Sequence, residues 1–143
     1  PMYLIPLTRN FNLGANLAHH IRKRNMLNNQ KSTTYVSSYE SLSQGQKLEL
    51  DSFIRGAIQG ALSYKETFCV SDIVGGKFTE WGGTPLQWIY EYHKNRGNCL
   101  SPEAEAGKDM GRIFKNVMST DFRKYEIKGS IQRKFKANLY GLA

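Results

Sequence analysis

The sequence predicts a mainly helical α+β fold that closes on a C-terminal β-hairpin. Two periodicities carry that expectation. Between residues 42 and 118 apolar side chains recur every three or four positions, interrupted by glycine and proline at the places where helices stop and start. From residue 124 to 139 the repeat drops to two, the signature of a half-buried strand. Bulk composition agrees. A chain of 143 residues, 40% hydrophobic and 12% aromatic, is long enough for one core and short for two. No apolar run nears the roughly 20 residues that span a bilayer, and no signal-peptide apolar core is present. With Pro1 read as the residue following a removed initiator Met, a cytoplasmic protein without a membrane partner is expected.

Residues 1–40 read as a basic N-terminal extension and residues 41–143 as the folded domain. In the extension Leu13, Leu17, Ile21 and Leu27 fall at near-helical spacing, with Asn10 or Asn12 as cap. Residues 28–38 read as a polar loop with Tyr35, Val36 and Tyr39 as anchors. His19 and His20 are adjacent, so on a helix they point about 100° apart. No Cys, Asp or Glu lies near them, and no metal site is expected.

A helix is expected over residues 42–64. Ser43 and Gln46 fit a capping box, and Leu48, Phe53, Ile54, Ala57, Ile58, Ala61 and Leu62 form its apolar stripe. Gly56 and Gly60 each cost roughly 1 kcal/mol against Ala, and their spacing suggests close helix contact. Residues 67–70 read as a short strand and Ser71-Asp72 as the cap of a helical turn ending at Gly75-Gly76. The glycines up to Gly83 match neither a P-loop nor a dinucleotide fingerprint, so a loop with Phe78 and Trp81 as anchors is expected. Thr84-Pro85-Leu86-Gln87 opens the next helix, with Leu86, Ile89 and Tyr90 inward and Gly97 as C-cap. Trp88 and Tyr92 lie one turn apart on another side.

Ser101-Pro102 starts the last helix, residues 102–118, with Glu103 and Glu105 beside its positive dipole end. Ala106, Met110, Ile113, Phe114 and Val117 make its core face. The other side presents Lys108, Arg112, Lys115, Asn116 and Ser119, residue types that reach phosphates and purine edges. Then Tyr125 and Ile127 alternate with Lys124, Glu126 and Lys128. Gly129-Ser130 fits a two-residue turn, and Ile131, Arg133, Phe135, Ala137 and Leu139 alternate with Gln132, Lys134, Lys136 and Asn138.

Charge is concentrated at the two ends. The formal total is +8, divided as +5 over residues 1–31, −3 over residues 32–109 and +6 over residues 110–143. That pattern points to a polyanion-facing surface. Catalysis is not expected. Cys69 falls on a buried strand, and Cys99 with His93 makes a pair only in sequence. Two cysteines supply neither a disulfide framework nor a CxxC clip, and no cofactor is expected.

The order helix, short strand, helices, helix, hairpin resembles a winged helix-turn-helix domain. The segments AGKDMGRIFKNVM and FRKYEIKGSIQRKFKANLY are similar to the recognition helix and wing of small phage or plasmid DNA-associated proteins. The resemblance implies recognition by residues 102–118 and a wing at residues 124–139. It departs at the glycine-rich stretch before Thr84 and does not extend over residues 1–40. The expected function is non-enzymatic binding of nucleic acid, duplex DNA before RNA. Its contacts are Lys108, Arg112, Lys115, Asn116, Ser119, Arg123, Lys124, Lys128, Arg133, Lys134 and Lys136, joined by Arg22, Lys23 and Arg24 of the extension. Asn116 is the expected base reader, and a homodimer fits the helix-turn-helix habit. The alternative is an interaction protein of a phage or mobile element that binds and inhibits a host protein or ribonucleoprotein. Trp81, Trp88 and Tyr92 would then form its protein interface.

Overall fold

The computed structural model describes residues 33–75, 80–97, 100–132 and 136–143. Within them five helices precede a two-stranded antiparallel sheet: α1 (Ser37–Glu40), α2 (Gln44–Leu62), α3 (Val70–Val74), α4 (Leu86–Arg96), α5 (Pro102–Thr120), β1 (Tyr125–Gln132) and β2 (Lys136–Leu142). The fold is α+β and mainly helical with a C-terminal hairpin, as the two periodicities predict. None of the described helices is long and apolar enough to cross a membrane.

The capping box of α2 is formed. Ser43 Oγ accepts the Gln46 N–H at 3.1 Å, and Gln46 Oε1 accepts the Ser43 N–H at 2.9 Å. The buried stripe runs Leu50, Ile54, Ile58, Ala61. Leu48, expected in that stripe, is exposed, because two residues along a helix turn it about 200° away from Leu50. Gly56 and Gly60 do not bring a helix close: both are exposed, and a Cβ on either would meet nothing within 4 Å.

The strand expected over residues 67–70 contracts to one rung. Phe68 and Tyr140 exchange backbone hydrogen bonds of 2.9 and 2.8 Å. Asp72 then accepts the Cys69 N–H at 3.1 Å, so the helix cap lies at Cys69 rather than at Ser71-Asp72, and Val70 is already helical. Thr84 is not the N-cap of α4. Its hydroxyl donates to the Trp81 carbonyl at 2.7 Å, and the helix starts at Leu86 with Pro85 flanking. Gly97 does end α4, at a left-handed φ of 75°.

Helix α5 is the central element, against which α2, α3 and α4 all pack. Ser101 Oγ accepts the Ala104 N–H at 3.3 Å and Pro102 fills the first turn. The predicted face, Ala106, Met110, Ile113, Phe114 and Val117, is buried, together with Met118. From the other side Val36 seals this core at 3% exposure, which makes the end of the expected loop an anchored segment.

The hairpin differs from its expected form. Gly129 and Ser130 are not a turn: they lie inside β1, paired with Leu139 and Asn138, and residues 133–135 stand between the two strands in the sequence. Between the Ile127–Tyr140 and Gly129–Leu139 pairs β1 has one extra residue, Lys128, which makes a β-bulge. Directly opposed residues share a face, so the bulge reverses the inward set. Tyr125, Ile127 and Tyr140 turn to the core, whereas Ile131, Ala137 and Leu139 go to the other side. A glycine inside an alternating run marks a bulge as well as a turn, which is why the sequence pattern misleads here.

A candidate nucleic-acid interface

Lys108, Arg112 and Lys115 recur at four and three residues on α5 and therefore share one side of the helix. They line a groove of about 390 Å³ whose opposite wall is Ala137, Asn138 and Tyr140 of β2. Gly111 leaves helix backbone bare between the cations, and Val70, Ser71 and Thr34 complete the lining. The structure thus sets the basic side of the last helix across a groove from the hairpin. The strand that meets it is β2.

Arg112 is set by a carboxylate beneath it. Its Nη1 donates to Asp109 Oδ1 at 3.1 Å, while Asp109 Oδ2 accepts from Ser38 Oγ at 2.7 Å and lies 2.7 Å from His93 Nε2. Asp109 is 7% and His93 5% exposed, so this cluster joins α1, α4 and α5 from inside. Arg112 itself is half open to solvent, with its guanidinium directed from a fixed base. His93 is engaged with Asp109, and Cys99, its expected thiol partner, lies outside the described residues.

Several expected contacts are placed differently. Ser119 is buried and its hydroxyl donates to the Lys115 carbonyl at 2.8 Å, so it is not on the presented face. Asn116 is not offered to a base edge: Oδ1 accepts the Thr34 N–H at 3.0 Å and Nδ2 donates to the Thr34 carbonyl at 2.7 Å. Arg123 is mostly covered and grips Asp121 through Nε and Nη2 at 3.3 and 3.0 Å. Lys128, at the bulge, pairs with Glu126 at 2.7 Å. Lys124 and Lys136 are exposed. Arg22, Lys23, Arg24, Arg133 and Lys134 lie outside the described residues, as do His19 and His20. Among the described residues no group of His, Cys, Asp and Glu is arranged to hold a metal ion.

The aromatic candidates are each partly covered within the fold. Trp81 is an anchor: Nε1 donates to the Val74 carbonyl at 3.0 Å and the indole meets the Tyr90 ring at 6.1 Å. Tyr92 stands edge-on to His93 and carries Arg96 over its face, and Trp88 is half-buried.

Two phenol–carboxylate pairs lie elsewhere in the domain. Burial pushes the Tyr125 hydroxyl up to about 12, aided by Asp121, to which it donates at 3.0 Å. Burial also works upward on Asp121, but the Arg123 and Tyr125 hydrogen bonds outweigh it and hold that carboxyl below the usual range. Between α1 and α2 the Tyr39 hydroxyl lies within hydrogen-bond reach of both Asp51 oxygens, at 3.0 and 2.9 Å. Burial raises both of those groups above their ordinary values. Sequence reasoning missed Asp109 and Thr34. Asp109 carried a signal, an acid between Ala106 and Met110 and three residues before Arg112, but Thr34 meets Asn116 across 82 positions and carried none. No protein-family model, curated protein or solved structure matches this chain.

Proposed function

We propose that this protein binds nucleic acid, duplex DNA in the first place, as a winged-helix-like domain that uses α5 and the adjoining hairpin. One observation carries the reading: Lys108, Arg112 and Lys115 converge on a groove walled by β2. A duplex carries one negative charge about every 1.7 Å, so a row of cations on one helix side meets successive phosphates. The element order supports the same reading, with the single Phe68 rung closing on Tyr140 of β2. Three cations against one wall make a phosphate-tracking surface. With Asn116 held by Thr34, base reading falls to other side chains, Asn138 at the groove edge among them.

The test is binding of labelled random duplex, single strand and RNA across a salt series. Lys108→Ala, Arg112→Ala and Lys115→Ala together should flatten the plot of log affinity against log salt by roughly 0.9 for each phosphate left unneutralised. An unchanged affinity and slope in a folded triple variant would falsify the proposal. A preference for RNA over duplex would keep the surface and replace the partner.

A further inference from the structure

Helix α5 carries two acid–cation pairs at the same spacing of three residues, and they are built differently. Glu105 meets Lys108 at 3.5 Å with both side chains open to water. Such a surface pair orders two long side chains for little gain and is screened by salt. Asp109 meets Arg112 at 3.1 Å, but its side chain is only 10% exposed. Its other oxygen is held from inside, by Ser38 Oγ of α1 and His93 Nε2 of α4, each at 2.7 Å. A carboxylate fixed from two elements in turn fixes the guanidinium it grips, so Arg112 loses rotamer freedom before any ligand arrives. Among the described residues that contact is the only hydrogen bond of the Arg112 side chain. A guanidinium has five N–H donors in a planar fork. With Nη1 on Asp109, the edge made by Nε and Nη2 is left to take a phosphate through two parallel bonds.

We propose that Arg112 is the anion seat of the α5–β2 groove, a site for one backbone phosphate gripped through two nitrogens, and that Asp109 is its positioning residue. The inference rests on the nucleic-acid reading above and names the group that the groove takes. Lys108 and Lys115, which line the same groove, act beside the seat as point charges on flexible stems. One consequence runs against net charge. Removing the negative charge of Asp109 should weaken the hold on a polyanion, because the guanidinium then has to be ordered at the moment of binding.

The experiment reads affinity for labelled duplexes across a salt series in the full chain. The variants are Glu105→Gln, Asp109→Asn, Arg112→Lys and Asp109→Asn combined with Arg112→Lys, with the thermal midpoint of each as the control for folding. Both acid variants remove one negative charge one turn from a groove cation, so charge alone makes both bind more tightly. Glu105→Gln should do so, by up to about twofold. Asp109→Asn should instead weaken binding by about threefold, within the two- to tenfold expected for re-immobilising one long side chain. Arg112→Lys keeps the charge and the salt slope but loses the fork, at a cost of about tenfold. Beside it, Asp109→Asn should no longer weaken binding. The Arg112→Lys loss should be equal in duplexes of A·T and of G·C pairs, since the phosphate is common to both. If Asp109→Asn does not fold, Ser38→Ala takes its place: it removes one inner hold on Asp109, and should weaken the parent and leave the Arg112→Lys chain unchanged. Tighter binding by Asp109→Asn, or a loss by it or by Ser38→Ala that persists in full beside Arg112→Lys, removes the positioning role. Parent-like affinity in Arg112→Lys overturns the seat, as does a loss confined to G·C pairs, because guanine O6 and N7 also take arginine in a fork. If the triple alanine variant of Lys108, Arg112 and Lys115 binds as the parent does, the nucleic-acid reading falls and this inference with it.

Discussion

One carboxylate, Asp109, holds three elements. It meets Ser38 of α1, His93 of α4 and Arg112 of its own helix, with the first two contacts buried. Removing it leaves Ser38 and His93 facing an emptied polar site, so Asp109→Ala should destabilise the protein by about 3–5 kcal/mol in urea unfolding. Arg112→Ala, whose side chain is half in water, should cost under about 1 kcal/mol in the same measurement. Comparable costs would show that Arg112, rather than the buried bridge, is the stabilising partner. The two other carboxylates respond to acid with opposite signs. Asp121 has a lowered folded-state pKa, so its contribution is present above the ordinary carboxyl range and is lost as pH falls through the folded value. Asp51 has a raised one, so the folded state takes up its proton first and gains relative stability on acidification. Urea midpoints from about pH 6 to 3 should therefore fall less steeply in Asp121→Asn and more steeply in Asp51→Asn than in the parent. At the alkaline end Tyr125 adds stability below about pH 10, which is lost as pH rises towards about 12. Tyr125→Phe should flatten part of that limb and leave the share of Tyr39.

At the scale of elements, local chemistry and contact across the fold divide the explanation. The caps of α2 and α5 and the left-handed stop at Gly97 are short-range devices, and the structure forms them where the residues stand. Thr84 shows the limit: its hydroxyl had a backbone carbonyl nearer than the helix, at Trp81. The glycines separate in the same way. A Cβ at Gly56 or Gly60 meets only open space, so Gly56→Ala and Gly60→Ala should each stabilise α2 by up to about 1 kcal/mol. Gly141 is the contrary case, because a Cβ there would stand 2.8 Å from the Glu66 carbonyl and 3.1 Å from the Lys128 stem. Gly141→Ala should lower the thermal midpoint by several degrees, as expected for a clash of about 1–3 kcal/mol. A midpoint equal to the parent's would show that the backbone at Glu66 yields. The bulge at Lys128 belongs to this scale too. Neither Lys128 nor Gly129 names it alone, since the extra residue is defined by the register against β2.

Across the whole molecule, the charge is arranged by the fold. The sum of +8 and its concentration at the two ends are properties of the chain. So are the core face of α5, the capping box at Ser43, the hairpin as an element and the cation row Lys108, Arg112, Lys115, because helical and strand periods project side chains the same way wherever the element lies. Tertiary contacts also engage candidates that the sequence offered to a partner: Ser119 is buried, Trp81 donates to Val74, Arg123 pairs with Asp121 and Asn116 holds Thr34. Each of those residues is amphipathic or polar and serves equally in water or against a buried partner, and local pattern cannot tell which partner arrives. The fold class, the helices and the presence of a basic helix side were thus determined by the residues in order. The groove was decided only by tertiary structure. Its second wall is β2, its rim is Thr34, and its orienting carboxylate bridges to Ser38 across 71 positions. Such contacts are fixed by how the elements bury their apolar faces together, a property of the closed core rather than of any single stretch of chain.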